Sequence, residues 1–157
     1  MKKSTIVLHN IFFTTVMTAV FCWFIQYLMI WQGSLESFSW KSFFINYPIG
    51  FITGLICCFV LPAGLWGMKL AKKCKAMPGT WQYNAIVNAV ANTVNTTILI
   101  IVMTYINVHV FNHAPLAAVV GGIVSTYVPV WLIAYLVSCF AVPLCRKLAC
   151  RCTRDML

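Results

Sequence analysis

The sequence predicts an all-α integral membrane protein whose four transmembrane helices form two parallel tandem helical pairs. Composition is the first reason: 62% of the 157 residues are hydrophobic and 8% are charged, whereas a soluble domain carries roughly 25% charged residues. The second reason is an internal repeat, because a repeated sequence indicates a repeated structural unit. Its first copy is Pro48, Cys58-Phe59 and Pro62, and its second copy, 81 residues later, is Pro129, Cys139-Phe140 and Pro143.

Four apolar stretches, at 5–31, 43–68, 84–111 and 117–145, are long enough to cross a bilayer, which takes about 20 residues. Helices are expected because hydrocarbon offers no partner to free backbone groups. The first stretch is much longer than the apolar core of a signal peptide, so we interpret it as a retained helix.

The element boundaries follow from turn residues and charge. We predict helices over 5–31, 42–71, 82–110 and 116–148, with loops of polar residues between them. Proline removes a hydrogen bond and crowds the preceding turn, so each proline within a helix should kink it. The predicted kinks are at Pro48 and Pro62 in the second helix and at Pro129 and Pro143 in the fourth.

The repeat divides the chain into residues 1–76 and 77–157, each holding one helical pair. Because each unit crosses the membrane twice, both copies should enter it in the same direction, related by an axis along the membrane normal.

The net charge of +9 is concentrated at one membrane boundary. By the positive-inside rule, both termini and the middle loop are predicted to be cytoplasmic, and to contact anionic lipid headgroups. Since the basic residues are split over three short segments beside the membrane, nucleic-acid binding is disfavoured. The residues on this boundary are Lys2, Lys3, Lys69, Lys72, Lys73, Lys75, Arg146, Lys147, Arg151 and Arg154, whereas Lys41 lies on the other side.

Two polar stripes lie within the predicted spans. Spacings of three and four place residues on one helical face, and polar groups in lipid should face the bundle interior. We expect the stripes to face one another near the pseudo-two-fold axis, as either an interhelical hydrogen-bonded seam or a polar cavity. The first helix carries Asn10, Thr14 and Thr18, and the third carries Asn88, Asn92, Asn95 and Thr96, with Asn84 at its inner end.

The spans contain no carboxylate, since Glu36 lies in a loop and Asp155 in the tail. His9 lies at the inner end of the first helix, where an interfacial role is expected. His109 and His113 are spaced for a metal site but make only two ligands. The sequence therefore assigns no catalytic, cofactor-binding or metal residue, and we predict that the protein is not an enzyme.

Eight cysteines lie within the spans or at the predicted cytoplasmic boundary, where thiols stay reduced, so no structural disulfide is expected. Gly50 and Gly54 form a G-x-x-x-G motif, which supports close helix packing either within the bundle or at a dimer face.

Two short segments resemble a known family. Residues 40–73, with Pro48, Pro62 and a basic exit, and residues 128–151, with Pro129, Pro143 and a similar exit, resemble the small bacterial membrane proteins known as domain of unknown function 2798. The resemblance implies a tandem two-copy member located in a bacterial plasma (inner) membrane, and it supplies no functional residue. The four-helix proteobacterial antimicrobial efflux family is also similar in plan, but it relies on an acid in its first helix, which the span from Ile6 to Ile30 lacks.

These observations predict a small non-enzymatic membrane protein that acts through helix packing, as an accessory or interaction subunit. A homodimer and a different membrane-protein partner both stay open. The alternative function is a carrier or channel for a small solute, lined by the Asn/Thr stripes.

Overall fold

The computed structural model describes residues 2–31, 33 and 36–154. The loop residues Gln32, Ser34 and Leu35 and the tail acid Asp155 therefore lie outside the described residues. The regular elements are α1 (Lys3–Trp31), α2 (Trp40–Val60), α3 (Ala63–Lys73), α4 (Trp81–Thr104), a π-helical segment (Tyr105–Phe111) that continues α4, and α5 (Leu116–Thr153).

The predicted all-α membrane fold is confirmed. Within the described ranges every regular element is helical, and four helices are long and apolar enough to cross a membrane: Lys3–Trp31, Trp40–Val60, Trp81–Phe111 and Leu116–Thr153. At most a third of the residues in any of the four most apolar windows are buried in the bundle. The helices therefore present large apolar faces outward, as lipid contact requires.

Hydrogen bonds between the ends of the elements fix the directions of the helices. Thr5 near the start of α1 bonds Thr153 at the end of α5, with 2.7 Å between the hydroxyl oxygens. At the other end of α1, Gln26 accepts a hydrogen bond from the Ser39 amide just before α2. We call the end that holds the start of α1, the α3–α4 turn and the end of α5 the basic end, because most of the lysines and arginines lie there.

The helices of the two sequence halves interleave. The most extensive contacts join α1 to α5 and α3 to α4, and both of these pairs cross between residues 1–76 and residues 77–157. Each half therefore buries its inner face mainly against the other half.

The prediction of one kinked helix over residues 42–71 is wrong, because the helix is broken at Pro62. α2 ends at Val60, Leu61 is extended with φ −96° and ψ 125°, and α3 starts at Ala63. A proline disfavours the helical conformation in the residue before it, which accounts for the extended Leu61. Pro48, Pro129 and Pro143 all lie inside continuous helices, so Pro143 does not break α5 as its counterpart Pro62 breaks the second span.

The G-x-x-x-G motif of α2 packs within the bundle. A Cβ added at Gly54 would lie 2.8 Å from Thr14 Cγ2, and one added at Gly50 would lie 3.0 Å from Thr18 Cγ2. The two glycines thus accept threonine methyl groups of α1, and the motif serves the α1–α2 contact.

The apolar core occupies the half of the bundle away from the basic end. Aromatic side chains of α1, α2 and α5 surround it, and the π-helical segment joins it to α2 where Asn107 Nδ2 donates to Asn46 Oδ1 at 2.9 Å. The buried members of this core cluster are Phe21, Cys22, Leu28, Leu99, Ile100, Met103 and Val130.

Candidate functional site

The polar face of α1 is held in place by α2. Thr14 and Thr18 are 3% and 1% exposed, since the glycines of α2 leave room for their methyl groups. The Thr14 hydroxyl lies 3.7 Å from Cys58 Sγ, which ties the middle of this face to the end of α2.

The polar face of α4 is fixed by α5. Asn92 Nδ2 donates to the Trp131 carbonyl at 3.2 Å, and Thr96 Oγ1 donates to Asn92 Oδ1 at 3.3 Å. Asn92 and Thr96 are buried, whereas Asn88 and Asn95 are half-buried. A buried amide held at both of its ends is a rigid part of the wall rather than a mobile side chain.

The structure brings both stripes together around one cavity of about 330 Å³, a volume at the lower end of the range for small-molecule sites. It lies in the half of the bundle nearest the basic end and is partly open to the outside. All seven residues assigned from the sequence line it: Asn10, Thr14, Thr18, Asn88, Asn92, Asn95 and Thr96.

The cavity ends where the apolar core begins. Phe21 and Leu99 belong to both the cavity wall and the core cluster. Beyond them, Ile100 is 0% exposed and Val130 is 2% exposed. In this conformation the packed core therefore closes the cavity on the side away from the basic end.

The helix break adds wall residues that the sequence did not single out. Leu61, Ala63 and Gly64 line the cavity around the break. The first N–H groups of a helix have no acceptor within it, so the start of α3 brings backbone donors to the cavity edge. One sequence signal could have found this feature, namely the two glycines Gly64 and Gly67 that follow Pro62 within five residues.

Some polar atoms in the cavity wall are buried without a partner. Among the described residues, Thr18 Oγ1, Asn95 Oδ1 and His9 Nδ1 receive and donate no hydrogen bond. His9 stacks on Phe13 with ring centroids 6.1 Å apart and lines the cavity, which adds to the interfacial role expected from the sequence. An unsatisfied buried polar group costs roughly 1–3 kcal/mol, so a side-chain rotation that brings one of these atoms to the cavity space would be stabilised by a ligand or water there.

The remaining cavity polar groups are Ser138 of α5 and the neighbouring thiols of Cys57 and Cys58. Ser138 donates to its own helix at the Tyr135 carbonyl, 2.8 Å away. All eight cysteines are free. The wall thus offers amides, hydroxyls and thiols, together with the imidazole of His9.

The other residues considered from the sequence lie elsewhere. His109 Nδ1 is 2.9 Å from the Ala114 carbonyl, and over residues 2–31, 33 and 36–154 no cluster of three metal-ligating side chains occurs. None of the four repeat prolines is among the cavity-lining residues, although Pro62 lies between Leu61 and Ala63, which are.

Comparison of this chain with family models, with curated proteins and with solved structures found no match. The resemblance to domain of unknown function 2798 therefore stays a prediction from the sequence.

Proposed function

We propose that this membrane protein binds a small solute in the cavity between its polar stripes and moves it as a carrier. The observation that supports this proposal is the cavity itself, in which seven Asn and Thr residues and three unpartnered polar atoms surround about 330 Å³. A hydrogen-bonded seam would use its polar groups against one another and leave little space. A carrier is favoured over an open channel because the packed core closes one end.

The alternative, an accessory subunit acting through helix packing, predicts a cavity without water. In that case the stripes serve only to hold helices together, and the cavity is dry. No acid–base pair of a catalytic site supports an enzymatic role among the residues lining the cavity in the described structure, so the proposal includes no catalysis.

We further propose that the basic end faces the cytoplasm of a bacterial inner membrane and touches anionic headgroups. The supporting observation is that the lysines and arginines near this end are exposed, from Lys3 through Lys72 to Arg151. In this orientation the cavity would load from the cytoplasmic side.

Water access to the cavity tests the proposed function. In a variant without the eight native cysteines, single cysteines are placed at Asn88, Ala91 and Asn95, which all line the cavity. A membrane-impermeant thiol reagent is then added to one side of the membrane at a time. We expect labelling at all three positions from the basic-end side and none from the other side.

Two positions on the same helix serve as controls. Ile101 is 47% exposed on the apolar outer surface, and Ile100 is 0% exposed in the closing core, so cysteines there should stay unlabelled from both sides. Protection of positions 88, 91 and 95 in a folded, inserted protein would overturn the carrier proposal and favour the accessory role.

A further inference from the structure

We propose that the solute is uncharged and carries hydroxyl or amide groups, so that the cavity selects small polar neutral molecules. This inference rests on the proposed function and names the chemical class of its substrate. Three features of the cavity support it: the charge of its wall, the unpartnered atoms and the distribution of its apolar surface.

The wall opposes charged solutes. No Asp, Glu, Lys or Arg is found among the described residues that line the cavity, whose titratable side chains are His9, Cys57 and Cys58. A cation there would therefore have no carboxylate beside it, and an anion would have no lysine or arginine. Removing an ion from water costs several kcal/mol even after protein relaxation, and only a paired charge with further hydrogen bonds offsets this cost. A neutral solute avoids the penalty, because amides and hydroxyls can replace the hydrogen bonds that it made to water.

The unpartnered atoms show which groups the solute must bring. Thr18 is 1% exposed, yet its hydroxyl oxygen has no partner in the part of the chain that the structure describes. Asn95 Oδ1 is likewise buried without a hydrogen-bond partner among the described residues. A hydroxyl oxygen accepts and donates, while an amide oxygen accepts, so a solute with O–H or N–H donors satisfies both residues once their side chains rotate toward it.

Three residues of the stripes are already held by hydrogen bonds, and they form a frame around the proposed binding positions. Thr14 is tied to Cys58, and Asn92 is tied to both the Trp131 carbonyl and Thr96. These bonds hold the frame in place, so only the unpartnered side chains have to rotate to meet a solute, and this limits the ordering cost of binding.

The size and shape of the cavity set an upper limit on the solute. At roughly 30 Å³ for each water molecule, a cavity of about 330 Å³ holds on the order of ten water molecules. Phe13, Met17 and Val87 supply apolar wall beside the stripes, so the carbon side of a small polyol or amide finds a matching surface. Large sugars and peptides are too big.

Uptake into liposomes that contain the purified protein tests the inference. The probes are urea and glycerol as neutral solutes, guanidinium as a cation of nearly the same shape as urea, and nitrate as a planar anion. All four are presented at equal concentration and zero membrane potential. We expect protein-dependent entry of urea or glycerol to be at least about tenfold faster than entry of either ion, which corresponds to roughly 1.4 kcal/mol of discrimination.

Three variants connect the selectivity to the cavity. Thr18→Val and Asn95→Leu keep side-chain size but remove the unpartnered groups, and each should slow neutral uptake by roughly three- to tenfold, the usual effect of one hydrogen bond. Thr15→Val is the matched control: Thr15 is exposed and its hydroxyl bonds the Ile11 carbonyl of its own helix at 2.8 Å, so uptake should not change. Asn95→Asp places a negative charge in the wall and should shift the preference from urea toward guanidinium.

The inference is overturned if guanidinium or nitrate enters as fast as the neutral probes, if neither neutral probe enters, or if Thr18→Val and Asn95→Leu behave as Thr15→Val does. Labelling of the Ala91→Cys variant shows whether the substrate class alone is wrong or the carrier function as well. When Ala91→Cys is labelled and these uptake results fail, only the substrate class is wrong; when Ala91→Cys is protected, the carrier function fails as well.

Discussion

The second span, formed by α2 and α3, and the helix α5 carry the same Pro, Cys-Phe, Pro frame, but the side chains within the frame differ. α2 has Gly50 and Gly54 where α5, 81 residues later, has Trp131 and Tyr135. The glycines let α2 approach α1 until threonine methyl groups fill the space. The aromatic residues instead reach across to α4, where Trp131 Nε1 donates to Thr93 Oγ1 at 2.9 Å and the Tyr135 hydroxyl donates to the Ala85 carbonyl at 3.4 Å.

The same contrast continues beyond the second proline. Gly67 lies against the backbone of α4: a Cβ added there would be 2.8 Å from both Val87 Cα and the Val87 carbonyl oxygen. The corresponding residue of α5 is Leu148, which is 42% exposed. α3 therefore moves onto α4 and the helix breaks at Pro62, whereas α5 continues past Pro143.

A shared proline therefore does not decide the course of a helix. Proline lowers the cost of a break, because its nitrogen has no hydrogen to donate to the preceding turn. Whether the break occurs depends on a packing gain beyond it, which a glycine contact provides in one half. The cavity is consequently walled by helix ends on one side and by a continuous helix on the other.

The largest effect is expected for Gly67→Ala. The new methyl group would overlap backbone atoms of Val87, which cannot move without shifting α4, so we expect a loss of about 3 kcal/mol, near the upper end of the usual cost of overpacking. Unfolding in mixed detergent micelles measures it.

Gly64→Ala is the matched control for this variant, because a Cβ at Gly64 would meet nothing within 4 Å. Its stability should be unchanged or slightly raised, since alanine favours helix by up to about 1 kcal/mol over glycine. Equal losses for both variants would contradict the close approach of α3 and α4.

A smaller loss is expected for Gly54→Ala, because its new methyl group would meet the Thr14 side chain rather than backbone. We expect about 2 kcal/mol, within the usual range for overpacking. The pair Gly54→Ala with Thr14→Ser should recover most of this loss, since serine lacks the methyl group that clashes. If the serine brings no recovery, the two helices do not meet at this point.

Amide hydrogen exchange compares the two prolines directly. Ala63, Gly64 and Leu65 start a new helix, so their N–H groups lack acceptors within it, whereas residues 144–146 lie inside α5. We expect exchange at 63–65 to be at least about tenfold faster, the equivalent of one hydrogen bond.

Substituting each proline with alanine tests whether the proline itself causes the difference in exchange between the two segments. Pro62→Ala removes the bias of Leu61 toward an extended conformation and should slow exchange at 63–65, while Pro143→Ala should leave 144–146 unchanged. A similar response in both segments would mean that the two prolines act alike.

The smallest effect is expected at the hydrogen bond between Asn107 and Asn46. A double-mutant cycle with alanine at both positions should give a coupling of about 0.6 kcal/mol, the average for polar contacts between membrane helices. The cycle that pairs Asn107 with Thr97, whose hydroxyl lies 3.0 Å from the Tyr127 hydroxyl, should give a coupling near zero. Equal couplings would show that the Asn107 contact is not specific.

Much of the candidate site was predictable because helical periodicity alone places residues on a face. Asn10, Thr14 and Thr18 follow a spacing of four, and the same rule relates Asn88, Asn92 and Thr96. His9, Leu61 and Gly64 were not assigned to the site. Their contribution to the cavity wall depends on the distances between neighbouring helices, and the periodicity of a single helix gives no information about those distances.

The membrane class, the four spans and the polar face of each stripe follow from the amino-acid sequence, because hydrophobic length and helical period are local properties of the chain. The folded structure was needed to show that the stripes enclose a cavity, that apolar packing closes it at one end and that the second span breaks at Pro62. These features depend on non-local contacts such as that between Gly67 and Val87, in which the fit of two distant backbones outweighs the preference of either segment.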